Sequence, residues 1–168
     1  MKEDEFHLAW PDEIKVNVTI TWTKPAPHDL LFSGGLDEDD TAYFYSIVGR
    51  VDREWWPFYI GMTHAQSAAK RNQQVDHQER LKLLKKKNKG QDFSITLGTP
   101  TFPKGTRVTS SLIGKIEGLL IYSNWNDLMV NKKKTQGFSS NQSIYISNTG
   151  WAEHLEKEVA YGVFYREA

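Results

Sequence analysis

The sequence predicts a mixed α/β (α+β) fold, in which strands and helices share one chain. Residues 14–22 alternate apolar and polar side chains and are rich in β-branched residues, which is typical of a half-buried strand. Residues 42–51 and 57–62 are two apolar segments separated by a short polar stretch, and this spacing favours an antiparallel hairpin. Residues 110–125 repeat apolar side chains at helical intervals and indicate an amphipathic helix.

The other elements follow from the same criteria. A second helix is predicted over residues 65–88, which ends before Gly90, and Thr109 or Ser110 is a suitable N-cap for the 110–125 helix. Three more strands are predicted, over residues 92–99, 143–148 and 161–167.

The segment 24–41 combines prolines, a glycine pair and an acidic run, so we interpret it as a loop. We therefore divide the chain into an N-terminal extension, residues 1–41, which contains one strand and the acidic loop, and a main domain, residues 42–168.

Composition excludes several classes of protein. The chain has 168 residues, which suffices for one domain with a substantial core. No apolar run approaches the roughly 18 residues of a transmembrane helix, and the opening MKEDEF lacks the apolar core of a signal peptide. The absence of cysteine excludes disulfides, thiol catalysis and cysteine-type zinc sites. We therefore expect a cytoplasmic protein without membrane contact.

The zero net charge conceals an uneven distribution. Residues 1–54 contain 5 Lys and Arg against 12 Asp and Glu, whereas residues 55–134 contain 14 against 5. A basic region of this kind favours nucleic-acid binding. The alternative is a solvated helix with a lysine-rich end.

Glu117 is the first candidate for chemistry. It lies on the 110–125 helix, and Ile113, Leu120 and Ile121 share its face. Burying a carboxylate among apolar groups is costly unless it is paired or bound to a metal. Glu117 is therefore either a residue at the edge of the stripe whose tip reaches water, or a ligand of Mg²⁺, which prefers oxygen.

Tyr45 and Tyr59 lie in the two strands of the predicted hairpin. They are either core residues with satisfied hydroxyls or a pair of phenols that position or deprotonate a water molecule. Because the pKa of a phenol is about 10, the second interpretation requires a cation nearby.

The 65–88 helix contributes polar groups that could contact an anion. Such residues usually indicate a solvated face, but an arginine can also clamp a phosphate and stabilise charge while a phosphodiester is attacked. The residues concerned are Lys70, Arg71, His77 and Arg80.

The order of these residues resembles the GIY-YIG endonuclease family across residues 42–148. The tripeptide YIG at 59–61 matches the second signature in full. In the first signature only Tyr45 is retained, because Tyr43 and Phe44 stand where the family has glycine and isoleucine. The family order continues with Arg71, Glu117 and Asn131.

The resemblance implies a small central antiparallel β-sheet flanked by helices and metal-dependent hydrolysis of DNA, with restriction or homing enzymes as site-specific examples. It implies that Glu117 holds one Mg²⁺ or Mn²⁺ and that Arg71 stabilises the phosphate. It also implies that Tyr45 and Tyr59 position the attacking water. Asn131 would support the site through hydrogen bonds.

Further substrate contacts are assigned to Lys70, His77, Arg80, Lys132, Lys133 and Lys134. Arg80 is also an alternative to Arg71, because the separation between Tyr59 and Arg71 is longer than is usual in the family. DNA is the expected partner, and residues 1–41 could hold a protein partner or a second copy in a homodimer.

Two other functions remain open at this point. One is a non-catalytic nucleic-acid- or protein-binding domain that keeps the GIY-YIG scaffold. The other is a β-rich binding domain whose six tryptophans form a face for a carbohydrate or another ligand, and Trp55–Trp56 is the sequence feature that supports it.

Overall fold

The computed structural model describes residues 14–28, 43–63 and 75–163, with the backbone alone for residues 75–77. These ranges contain strands and two helices, which confirms the predicted mixed α/β class. In chain order the elements are β1 (Val16–Trp22), β2 (Ala26–Pro27), β3 (Phe44–Val51), β4 (Glu54–Met62), α1 (Val75–Lys87), β5 (Ser94–Thr101), α2 (Ser110–Ser123), β6 (Ile144–Gly150) and β7 (Glu158–Tyr161).

All seven strands belong to one sheet, which is larger than the small sheet expected from the family resemblance. The strand order is β4-β3-β5-β1-β6-β7, and β2 pairs with β5. The expected antiparallel pairing is found for β4, β3 and β5, whereas β1 and β6, whose pairing was not predicted, run parallel. Strands that are far apart in sequence have long connections, and these permit parallel pairing.

Strand β1 was assigned to an N-terminal extension, and the structure places it inside the sheet, between β5 and β6. Its alternating pattern buries Val16, Val18, Ile20 and Trp22. These four side chains join the same core as helix α2. Residues 1–13 and 29–42 of the predicted extension lie outside the described residues.

Helix α2 forms the centre of the larger core, because the sheet curls until its end strands β4 and β7 both pack against it. The helix begins after Thr109, whose side-chain oxygen accepts a hydrogen bond from the Leu112 N–H at 3.1 Å. Of the two predicted N-caps, Thr109 is therefore the correct one. Ile113 and Leu120 are fully buried in this core.

Helix α1 packs on the opposite face of β3, β4 and β5. Phe44 and Ile60 belong to the core around α2, whereas Tyr45 and Tyr59 belong to a second core with Leu84 of α1. Successive side chains of a strand point to opposite faces, so the sequence alternation decides which helix each residue meets.

The hairpin β3–β4 turns at Asp52 and Arg53, which both have positive φ, 51° and 72°. Two successive residues with positive φ are the mark of the tight turns whose twist matches that of paired strands. As a result β4 begins at Glu54, and Trp55 and Trp56 lie in the strand, not in the connecting segment as predicted.

A β-bulge lies in the middle of this hairpin. Ile47 pairs with Tyr59 and Val48 pairs with Pro57, so Phe58 is an extra residue on β4. Because of the bulge, the consecutive residues Phe58 and Tyr59 are both buried in the core on the α1 side.

Two predicted elements extend into ranges that the structure does not describe. Of the 65–88 helix, Val75–Lys87 is helical and residues 64–74 lie outside the description. The last strand is Glu158–Tyr161, earlier than the predicted 161–167, of which 164–168 lie outside. Neither α1 nor α2 has the length and apolar character of a membrane-spanning helix.

Candidate active site

The two tyrosines of the GIY-YIG-like pattern lie side by side on the α1 face of the sheet. The ring centroids of Tyr45 and Tyr59 are 5.8 Å apart, with 42° between the ring planes. Tyr45 is fully buried and Tyr59 is 7% exposed. The pairing of β3 with β4 thus brings the two phenol rings side by side.

Gly61 explains how Tyr45 fits beside β4. The two residues are cross-strand partners, and a Cβ atom added to Gly61 would lie 2.5 Å from Cζ and 2.6 Å from Oη of Tyr45. These distances are shorter than carbon and oxygen atoms tolerate, so the phenol ring occupies the volume that a side chain at position 61 would need. The glycine of the YIG tripeptide is therefore required here for close packing.

Arg80 is the cation that the structure places at the tyrosine pair. Its guanidinium carbon lies 4.0 Å from the centroid of the Tyr59 ring, which is a cation–π contact. Helix α1 positions it, because α1 packs over this face of the sheet through Leu84. Position 77 is also in α1, while Lys70 and Arg71 lie outside the described residues.

Asn131 binds the main chain of β4. Its Oδ1 accepts a hydrogen bond from the Ile60 N–H at 3.1 Å, and its Nδ2 donates to the Ile60 carbonyl at 2.8 Å. Next to it, the Val130 N–H donates to the Phe58 carbonyl at 2.9 Å. Since β4 is at the edge of the sheet, these bonds satisfy backbone groups that no neighbouring strand reaches.

Glu117 forms an ion pair with Lys134. The Lys134 Nζ lies 2.6 Å from a Glu117 carboxylate oxygen and 3.0 Å from the Gly114 carbonyl, to which it also donates. The Glu117 side chain is 13% exposed. Lys134, one of the three lysines assigned to DNA, thus neutralises the predicted metal ligand. Lys132 and Lys133 are also exposed.

These groups approach the last residues of β4 from two faces of the sheet. The phenols lie on the α1 face, and Glu117 belongs to α2 on the other face. Gly114, one turn before Glu117, faces the sulfur of Met62 at the end of β4. Between the two faces, Val130 and Asn131 cover the edge of β4 with hydrogen bonds to Phe58 and Ile60.

The groups around Glu117 determine which kind of metal ion it could hold. Mg²⁺ commonly takes one or two carboxylates and completes its shell with water and substrate phosphates, which suits a single glutamate. Lys134 must release the carboxylate before such an ion can bind it. Within the described ranges no cluster of three or more His, Cys, Asp or Glu side chains could hold a metal. The residues therefore fit a metal ion whose coordination shell is completed by water and substrate. They do not form a metal site made entirely of protein ligands.

A second group of side chains lies at the beginning of β4, and the sequence singled out only Trp55 and Trp56 among its members. Trp125, Trp151 and His154 join Trp55 and Trp56 there. The sequence signal for this group was the number of tryptophans. Only Trp55 and Trp56 are neighbours along the chain, because the other members join them through tertiary contacts.

Comparison with known proteins adds no assignment: no family model, no curated protein and no solved structure matches this chain.

Proposed function

We propose that this protein is a divalent-metal-dependent endonuclease that hydrolyses phosphodiester bonds in DNA. The observation that carries the proposal is the arrangement at the end of β4. Tyr45 lies opposite Gly61 and next to Tyr59. The Asn131 side chain hydrogen-bonds to both the N–H and the carbonyl of Ile60. Three of the predicted site residues, Tyr45, Tyr59 and Asn131, thus lie at the YIG tripeptide, which supports the proposal.

Each residue has a role that its position supports. A phosphodiester gains negative charge during hydrolysis, so the site needs fixed positive charge. Arg80, stacked on Tyr59, is the described guanidinium nearest to the phenols. The two phenols can orient a water molecule, and Asn131 keeps β4 in register with them. Arg71 remains a predicted catalytic residue outside the described ranges.

Glu117 would hold Mg²⁺ or Mn²⁺, and a bound divalent ion supplies positive charge beside the phosphate that is cut. Lys134 balances the carboxylate in the free protein, at 2.6 Å. Once a phosphate is present, the lysine has a second anion to bind, since its side chain is 37% exposed.

The distribution of charge supports DNA as the substrate. Lys132 and Lys133 are exposed next to Asn131. Lysines that contact phosphates increase affinity without reading the base sequence. A site-specific enzyme that cuts both strands would need two active sites, which favours a homodimer or a protein partner.

The second candidate is a non-catalytic nucleic-acid- or protein-binding domain. Two observations favour it: Tyr45 is fully buried, and Glu117 already has a cationic partner. In a binding domain these residues would be structural, and the exposed lysines alone would contact the ligand.

A cleavage assay separates the two candidates. Supercoiled plasmid is incubated with the protein and Mg²⁺ or Mn²⁺, and the product ends are mapped by sequencing. We expect cutting by the wild type and a loss of about 100-fold or more in Glu117→Gln, which is the size expected when charge stabilisation is removed. Glu79→Gln, an exposed carboxylate on α1, is the matched control.

No cutting by the wild type with either metal would reject the nuclease, and full activity of Glu117→Gln would reject Glu117 as the metal ligand. A single cut position would identify a site-specific enzyme, whereas scattered ends would identify a nonspecific one.

A further inference from the structure

A groove of about 540 Å³ opens at the beginning of β4, away from the tyrosine pair. It lies between the β3–β4 turn, the end of α2 and residues 153–156. Its volume is in the range of about 300–1,000 Å³ that is typical of sites for small ligands. Among its lining residues are Glu54, Trp55, Trp56, Trp125, Glu153 and His154.

Tryptophans form much of the groove and of the layer beneath it. Trp56 and Trp125 are 37% and 40% exposed and are among the few large apolar side chains exposed in the described residues. Below them, Trp151 packs edge-on against Trp55 and stacks on His154 at 5.1 Å, with 18° between the planes. Trp22 closes the layer, with its ring centroid 5.2 Å from that of His154.

His154 is a polar group that the fold does not satisfy. It is 4% exposed, and neither ring nitrogen has a hydrogen-bond partner among the described residues. Burial lowers its pKa to about 3, so the ring is neutral at physiological pH and carries one donor and one acceptor. A buried unsatisfied imidazole destabilises the protein, which points to a role other than packing.

The groove is acidic, in contrast to the basic region 55–134 as a whole. Three exposed carboxylates and one guanidinium line it: Glu54, Glu153, Glu156 and Arg53. A phosphate or another anion would be repelled by this charge. An organic cation would be attracted by both the carboxylates and the tryptophan faces.

Two asparagines fix the shape of the groove. Asn148 accepts a hydrogen bond from the Trp22 indole N–H at 2.9 Å and donates to the Glu156 carbonyl at 2.8 Å. Asn124, the C-cap of α2, accepts from the Glu156 N–H at 2.7 Å. The walls are therefore held in place before any ligand arrives, which reduces the entropic cost of binding.

We propose that this groove binds a guanidinium group, stacked on an exposed tryptophan and paired with the groove glutamates. A guanidinium is planar and weakly hydrated, stacks on aromatic faces and binds carboxylates through two parallel hydrogen bonds, so it matches these walls better than a compact ammonium. The chain already shows this contact once, because the Arg50 guanidinium lies 5.7 Å from the centroid of Trp55.

Isothermal titration calorimetry on the full chain tests the proposal with defined probes. They are N-acetyl-arginine methylamide, its neutral citrulline counterpart, its lysine counterpart and a pentapeptide with a central arginine. We expect the arginine compound to bind at least about tenfold more tightly than the citrulline compound, because citrulline keeps the shape but lacks the charge. The lysine compound should also bind more weakly.

The pentapeptide distinguishes the source of the ligand. Tighter binding of the pentapeptide would identify an arginine side chain of a protein, whereas equal binding would identify a free guanidino compound. Binding of citrulline or lysine as tight as that of arginine, or no binding of any probe, would overturn the proposal.

Exposed residues allow variants that leave the core intact. Trp125→Leu and Glu153→Gln should each weaken arginine binding by about five- to thirtyfold, the range of one cation–π or charged contact. Tyr122→Leu removes an exposed aromatic ring outside the groove, and Glu79→Gln removes an exposed charge on α1. If these controls weakened binding equally, the site would not be in the groove.

Discussion

The two ends of strand β4 carry aromatic side chains in opposite environments. At the end of the strand, Tyr59 is buried beneath Arg80, and Asn131 covers the strand edge. At the beginning, Trp56 is exposed and faces a groove rich in carboxylates. Nine residues of one strand thus contribute to a basic and closed site and to an acidic and open one.

The two ends of β4 show how a contact between a cation and an aromatic ring can serve two purposes. At Tyr59 the aromatic face is covered by a cation from the protein itself, at 4.0 Å. No described cation stacks on Trp56 or Trp125, so their faces are available to a cation from outside. We infer that the covered end supports the site chemistry and that the open end recognises a separate ligand.

The largest expected effect comes from closing the space beneath Tyr45. Gly61→Ala places a Cβ atom within 2.6 Å of the Tyr45 hydroxyl oxygen and should displace the phenol. A displacement of about 1 Å at a catalytic group lowers the reaction rate on the order of 100-fold. Overpacking of the core lowers the free energy of unfolding by about 1–3 kcal/mol. Plasmid cleavage and urea unfolding measure the two effects.

Gly137→Ala is the matched control, because an added Cβ meets no atom within 4 Å there. Unchanged cleavage by Gly61→Ala would mean that the position of the Tyr45 phenol does not matter to the reaction.

The open end of β4 should control how stability depends on pH. The pKa of His154 is about 3 in the folded protein and about 6.5 when unfolded, so the unfolded state binds the proton first as the pH falls. This group therefore lowers stability progressively below pH 6.5, by about 2 kcal/mol at pH 5. His154→Phe should remove that part of the pH dependence.

Urea unfolding of the wild type and of His154→Phe at pH 7.5 and pH 5 measures the difference. Parallel losses of stability in both proteins would show that the imidazole has a solvated or hydrogen-bonded environment, contrary to the groove as described.

A change in stability of similar size is expected from the residue that holds the edge of β4. Asn131→Ala removes two hydrogen bonds to Ile60 and should lower the free energy of unfolding by about 1–3 kcal/mol, since the main-chain groups lose their partner. Asn141→Ala, at an exposed position, is the control and should change stability by less than about 0.5 kcal/mol. Chemical denaturation compares them, and equal stability of the two variants would contradict the role of Asn131.

Local features of the fold could be predicted from the sequence. The β3–β4 hairpin and helix α2 follow from short-range periodicity, and the Thr109 cap follows from the chemistry of a single side chain. The register that places Tyr45 beside Tyr59 did not follow from the sequence, because it depends on the turn at Asp52 and Arg53 and on the bulge at Phe58.

Features that depend on distant parts of the chain could not be predicted. The parallel pairing of β1 with β6 joins strands at opposite ends of the sequence. The Glu117–Lys134 ion pair and the stacking of Trp151 on His154 depend on where loops return to the core. Periodicity carries no information on such contacts, and the tryptophan groove therefore had no signature beyond Trp55–Trp56.

We propose that Glu117 and the end of β4 form one metal-dependent site. Titration of Mn²⁺ into isotope-labelled protein, followed by NMR, tests it directly, because a paramagnetic ion broadens the signals of nearby amides. We expect selective broadening of Ile60, Gly61 and Met62, which Glu117→Gln should abolish. Broadening centred instead on Glu54 and Glu153 at the other end of the strand, or unchanged broadening in the variant, would contradict it.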